Sequence, residues 1–169
     1  MRTLEPDEKC VKVMTYTRTM LIRGGLIARE GIRVSIWLRS QGVSNFLHLV
    51  DPQVLLLSGA PKSITYSELY VPTNEIMAFH VAPPEEEAPD FDTRELNQTP
   101  SPVSVLAGAF SIKGKIRISS QTGLGQSLDV LRTAWVSLYE AEITNPNISQ
   151  FHIQVPMMLV NSSIVSFGV

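Results

Sequence analysis

The chain of 169 residues is 44% hydrophobic, carries a formal net charge of −2 at pH 7 and has one cysteine, Cys10. That composition supports a packed core, and it excludes general disorder, an intramolecular disulfide and polyanion binding through bulk charge. The opening "MRTLEPDEKC" lacks the apolar core of a secretory leader and no apolar run approaches spanning length, so a cytoplasmic protein without a membrane anchor is expected.

Residues 1–11 read as a tail. A first β unit is expected over residues 12–81. It opens with "VKVMTYTRTMLI", rich in β-branched and aromatic residues, and Gly24 marks a bend or a close backbone approach. "SIWLRS" reads as one helical turn or a continuing strand. In "FLHLV" alternation places Leu47 and Leu49 on the core face and Phe46, His48 and Val50 on the other. "VPTNEI" reads as the tight turn of a closing hairpin.

Residues 82–103, "APPEEEAPDFDTRELNQTPSPV", carry one Arg against six acids and too few branched aliphatic residues to fold. They are expected to be a linker. A second β unit is expected over residues 104–169. Gly114 takes the place of Gly24, and "SLDVLRTA" reads as a short helix capped by Ser127. In "WVSLY", Val136 and Leu138 point to the core, with Trp135, Ser137 and Tyr139 opposite. The two units align in order: "IRGGL" on "IKGKI", Leu38–Arg39 on Leu131–Arg132, "FLHLVDPQV" on "WVSLYEAEI", and Ile76, Phe79 and Val81 on Ile164, Phe167 and Val169. Asp51 falls on Glu140. The expected fold is therefore mainly β, two tandem small β-barrels of Sm-like or SH3-like size, each with at most one short helix. A unit of some 65 residues is marginal alone, so the two are expected to pack together, with Phe46, Val50, Trp135 and Tyr139 in the contact between units or between chains.

The repeated pattern, a Gly after the first strand, then "FLHLVDPQV" and a final "VPTNEI" or "VNSSI" hairpin, is similar to that of an uncharacterised bacterial family of small β-rich domains. Unit two keeps that family's Asp and Asn as Asp129 and Asn161; unit one has Ile36 and Thr73 there and keeps Asp51. The last hairpin also resembles the closing strands of Sm-like barrels, although its turn lacks their Gly and their base-holding Asp and Asn have no counterpart. The resemblance implies no activity.

No catalytic constellation is readable. His48, His80 and His152 have no ligand spacing to one another or to Cys10, so neither metal nor cofactor is expected. His48 and Asp51, three apart on a strand, point to opposite faces. "GLGQS" has no P-loop Lys. The expected function is that of a non-enzymatic interaction or scaffold protein that self-associates or binds a protein partner. The alternative is RNA or single-stranded DNA binding through a basic face of unit one made of Arg18, Arg23, Arg29, Arg33 and Arg39, with Tyr16 and Trp37 nearby. Glu85, Glu86, Glu87, Asp90 and Asp92 would lie transiently over that face as a built-in competitor, or would serve only as a solvated spacer.

Overall fold

The computed structural model describes residues 4–40, 44–95, 97–131 and 134–169. In chain order the first half contains β1 (Glu8–Tyr16), β2 (Met20–Arg29), α1 (Val34–Arg39), β3 (Phe46–Leu56), β4 (Lys62–Thr65), β5 (Glu68–Pro72), a 3-10 turn (Thr73–Glu75) and β6 (Ala78–Val81). The second contains β7 (Gln98–Ala107), β8 (Phe110–Ser119), α2 (Leu124–Asp129), β9 (Trp135–Asn145), β10 (Ile148–Asn161) and β11 (Ser166–Gly168). No helix among the described residues is long and apolar enough to cross a membrane.

The mainly β expectation holds, but the two tandem barrels give way to one large antiparallel sheet that does not close. Its strands run β11-β7-β8-β9-β10-β6-β1-β2-β3-β4, with β5 also on β3. A short sheet can hide its edges by closing on itself or by borrowing a neighbour's edge. Here β6 pairs with β10, Phe79 opposite Leu159 and Ala78 opposite Val160, which removes one edge from each half. Two other expectations shift. Strand β1 begins at Glu8, inside the expected tail, and β7 at Gln98, inside the expected linker. The second helix starts earlier than expected: Gly123, not Ser127, is its N-cap, and the Ser127 N–H donates to the Gly123 carbonyl.

Pairing order is the same in the two halves: β6-β1-β2-β3-β4 and β11-β7-β8-β9-β10. The register agrees as well. Gly24 lies opposite Val13, and Gly114 opposite Val103. The ladders to β3 and β9 both slip there, between Arg23 and Gly25 and between Lys113 and Lys115. Bulges of this kind bend a strand and raise its twist. The slip is matched on the facing strands by two residues in left-handed backbone, Asp51 (φ 45°) and Glu140 (φ 50°). Both sit inside strands rather than at strand ends. An added Cβ at Gly114 would come within 3.1 Å of the Tyr139 carbonyl, and one at Gly24 within 3.1 Å of Leu49 Cβ, so both bends are tight enough to favour glycine.

In β3 burial follows the period of 2 read from sequence, but in β9 Trp135, Val136, Ser137 and Leu138 are all buried, so the face expected to lie opposite the core is covered too. Leu47, Leu49, Val136 and Leu138 are all buried. The halves share their cores. One cluster joins Tyr16, Leu21, Met77 and Ala78 of the first half to Phe110, Leu138 and Ile143 of the second. The other, otherwise built from the first half, takes in Trp135 and Leu159. At this junction the Asn161 N–H donates to the Met77 carbonyl over 2.8 Å, and the Asn161 side-chain amide donates to the Ile76 carbonyl over 3.3 Å. A buried polar pair lies beside it: the Tyr16 hydroxyl is 2.8 Å from His80 Nε2, with His80 Nδ1 2.7 Å from the Val81 carbonyl.

Candidate functional site

The segment between β6 and β7 is not free of the sheet. Residues 85–95 lie across α1, β9 and β8, and three short stretches of it are held. Glu87 is held first: its carboxylate accepts from the Ser35 backbone N–H over 3.2 Å at the start of α1 and stands 3.4 Å from Arg33 Nε. The Arg33 guanidinium also donates to the backbone carbonyl of Ala88.

Asp90 is held next, and more completely. Its carboxylate accepts from Arg39 on α1, from the Ser137 hydroxyl over 2.9 Å and from the Tyr139 hydroxyl over 2.6 Å. Arg39 donates to Ser137 as well, which closes a ring of three side chains, Arg39, Asp90 and Ser137, with Tyr139 attached to it through Asp90. Burial pushes the Asp90 carboxyl up, but the bonds from Tyr139, Arg39 and Ser137 and the Arg39 charge outweigh it, and the group ends below the usual carboxylate range. Burial and the bond to Asp90 push the Tyr139 hydroxyl well above its ordinary value.

Phe91 follows. Its ring meets Tyr139 edge to face at 4.8 Å, and the Arg117 guanidinium stacks over it at 4.3 Å. Arg117 also donates to the Glu95 carbonyl over 3.2 Å. Beyond Phe91 the groove opens into a cleft of about 880 Å³ between β8, β9 and α2, walled by Arg117, Trp135, Val136 and Leu128.

The five arginines expected to make one basic face are divided by the fold. Arg33 and Arg39 bind the segment just described. Arg18 is exposed in the β1–β2 turn, its Cα 3.2 Å from the position of a Cβ on Gly108. Arg23 is exposed on β2 and reaches the Pro83 carbonyl over 3.4 Å, and Arg29 is exposed at the end of β2. Of the residues expected in a contact, Trp135 is buried among Val34, Leu38, Ile76 and Phe79. Tyr139 holds Asp90 and Phe91. Phe46 is 48% exposed and Val50 is half-buried. Of the five linker acids, Glu87 and Asp90 carry these contacts.

Other polar groups do not converge on this groove. His48 stacks on Tyr70 at 4.4 Å and shares Glu68 with it, while His152 pairs with Glu142 over 2.8 Å. Among the described residues no three His, Cys, Asp or Glu side chains are grouped to hold a metal ion. Sequence reasoning missed Arg117, Ser137 and Phe91. Phe91 carried a signal, as the one aromatic residue in an acidic, Pro-rich segment. No protein-family model, curated protein or solved structure matches this chain.

Proposed function

We propose that this chain is a non-enzymatic scaffold protein made of two copies of one small, barrel-like β unit, and that it associates with other copies of itself head to tail. The units, β1 to β6 and β7 to β11, are of the size of Sm-like small barrels. Support comes from one observation, the internal junction. There Leu159 and Val160 of β10 lie on Phe79 and Ala78 of β6, and all four are buried.

The ladders give the corresponding residues at the two outer ends. Tyr70 and Val71 stand to His48 and Leu47 as Leu159 and Val160 stand to Ser137 and Val136. Phe167 and Ser166 stand to Val105 and Leu106 as Phe79 and Ala78 stand to Thr15 and Tyr16. Yet Tyr70 is 57% exposed and Ser166 is exposed, while Val71 is buried and Phe167 half-buried. Among the described residues β5 has β3 and β11 has β7 as its one ladder partner, so the outer edge of each strand is unpaired. One chain thus makes this contact once internally and carries an unused side of it at each end. Such a contact is heterologous and builds rings or open chains of copies.

The contact between chains is the weaker one. By the ladders the place of Asn161 is taken by Pro72, one residue before the Thr73 matched to it in sequence, and Pro72 has no N–H and no side-chain amide. Two hydrogen bonds of the internal junction therefore have no counterpart, at about 1 kcal/mol each. Sedimentation velocity is expected to show mass rising with concentration between about 1 and 100 μM. Tyr70→Glu blocks one end and Ser166→Glu the other, and each alone is expected to leave a monomer. Mixed in equal amounts they form a dimer and nothing larger, because each still has one intact end. Pro72→Asn restores the missing donors and is expected to tighten association about thirtyfold, the equivalent of about 2 kcal/mol. A wild type that stays monomeric throughout that range overturns the reading.

A further inference from the structure

We propose that the groove formed by Arg33, Arg39, Arg117, Ser137 and Tyr139 is a binding site for an extended acidic peptide of a partner protein, in which a carboxylate is followed directly by an aromatic residue, and that residues 85–95 occupy it as an internal stand-in. Association between copies of the chain is not required for it.

What the groove recognises can be read from what fills it. Asp90 takes three donors from Arg39, Ser137 and Tyr139, a set that would hold any carboxylate at this position. The next residue, Phe91, meets the Tyr139 ring edge to face and carries the Arg117 guanidinium over its own ring, a pair of contacts that suits one aromatic group. Backbone is recognised too: Arg33 donates to the Ala88 carbonyl and Arg117 to the Glu95 carbonyl. These carbonyl contacts favour a peptide over a nucleic acid, which has phosphates but no comparable carbonyls along its backbone. They come from both ends of the groove: residues 86–90 run without a turn, and after Phe91 the chain folds into a turn in which the Glu95 N–H donates to the Asp92 carbonyl, so the occupant is extended up to its aromatic residue.

The stand-in is held by few points. Glu85, Glu86, Ala88, Pro89 and Asp92 are exposed, and the contacts concentrate in Glu87, Asp90 and Phe91. A tethered segment competes at an effective concentration on the order of millimolar, so it masks the groove against weak ligands and yields to a stronger one. The cleft of about 880 Å³ beyond Phe91 is room that the chain's own segment lines without filling, and a longer peptide would gain contacts there with Trp135, Val136 and Leu128.

The probe is a fluorescein-labelled peptide with this chain's own sequence 82–95, "APPEEEAPDFDTRE", followed by anisotropy. In Glu87→Gln/Asp90→Asn/Phe91→Ala the internal segment is loosened and the groove is left intact. That variant is expected to bind the peptide at least about tenfold more tightly than the wild type. Adding Arg39→Ala to it should abolish the gain, as should the Asp90→Asn and Phe91→Ala changes made in the peptide instead. Should the triple variant fail to fold, Asp90→Asn alone, which keeps the side-chain shape, decides with a smaller gain of the same sign. Equal binding by wild type and loosened variant, or binding indifferent to Arg39, overturns the proposal. An oligothymidylate that binds the loosened variant more tightly than the peptide does overturns the peptide assignment in favour of nucleic acid.

Discussion

Trp135→Ala is expected to lower the unfolding free energy by about 3–5 kcal/mol, the range for removing a large aromatic side chain from a core. Trp135 begins β9 in the second half, yet its side chain is buried with Val34, Leu38, Ile76 and Phe79 of the first. The loss should therefore fall on the whole chain. In urea, Trp37 fluorescence, which reports α1, and far-UV circular dichroism, which reports the sheet, should shift together in one transition. Coincidence is what a shared core requires, because neither half can lose its packing without exposing the other's. A unit of about 70 residues buries too little surface to be secure alone, which gives the same expectation from size. Two separate transitions, or a loss below about 1 kcal/mol, would mean that the halves are stable independently and that the junction is incidental.

Much of this junction was outside the reach of the sequence. Period-2 alternation identifies Leu47 and Leu49 as core residues because β3 buries one face there; in β9 it finds Val136 and Leu138 but misses that the opposite face, with Trp135 and Ser137, is covered as well. Gly24 and Gly114 could be matched because each sits at a tight bend, against the Leu49 and Pro52 side chains in one half and the Tyr139 carbonyl in the other, where a side chain is crowded. The pairing of β6 with β10 has no such mark. Strand partners far apart in sequence are chosen by whichever edges remain unpaired, and an apolar edge reads the same whether it closes a barrel or joins a neighbour. The left-handed residues were hidden for another reason. Asp51 and Glu140 are not the Gly or Asn that usually announces positive φ, so both read as ordinary strand ends. In the acidic segment, composition could not separate Glu87 and Asp90 from Glu85, Glu86 and Asp92. What distinguishes them is the placement of Ser35, Ser137 and Tyr139, which only the fold supplies.

Acidification is expected to destabilise the chain well before its carboxylates are neutralised, and His80 is the cause. The ring is buried, its Nδ1 faces the Val81 carbonyl and so carries the proton, and its Nε2 accepts from the Tyr16 hydroxyl. Burial pushes the imidazole down from an ordinary 6.5 to about 4, against a smaller opposing effect of the bond to Val81. Protonation would place a charge in the interior and set Nε2–H against the Tyr16 hydroxyl, whose own loss of a proton burial makes harder still. In the unfolded chain His80 takes up its proton near 6.5, whereas in the folded chain it does so only near 4. Between those values the unfolded state holds one more proton, so stability falls as pH falls, by about 1.4 kcal/mol per unit and about 3 kcal/mol in all. Above 6.5 the contribution is fully present and flat. His80→Gln keeps one group that can accept from Tyr16 and one that can donate to Val81, but does not titrate. Urea unfolding of both proteins at intervals from pH 7.5 to pH 4 isolates the effect, since His48, His152 and the acids are common to both. The stability difference, wild type minus variant, should be constant above 6.5 and then decline by about 3 kcal/mol towards pH 4. A difference that stays level across the window would mean that His80 protonates in the folded chain as readily as in the unfolded one, and that the Tyr16–His80 pair is open to water.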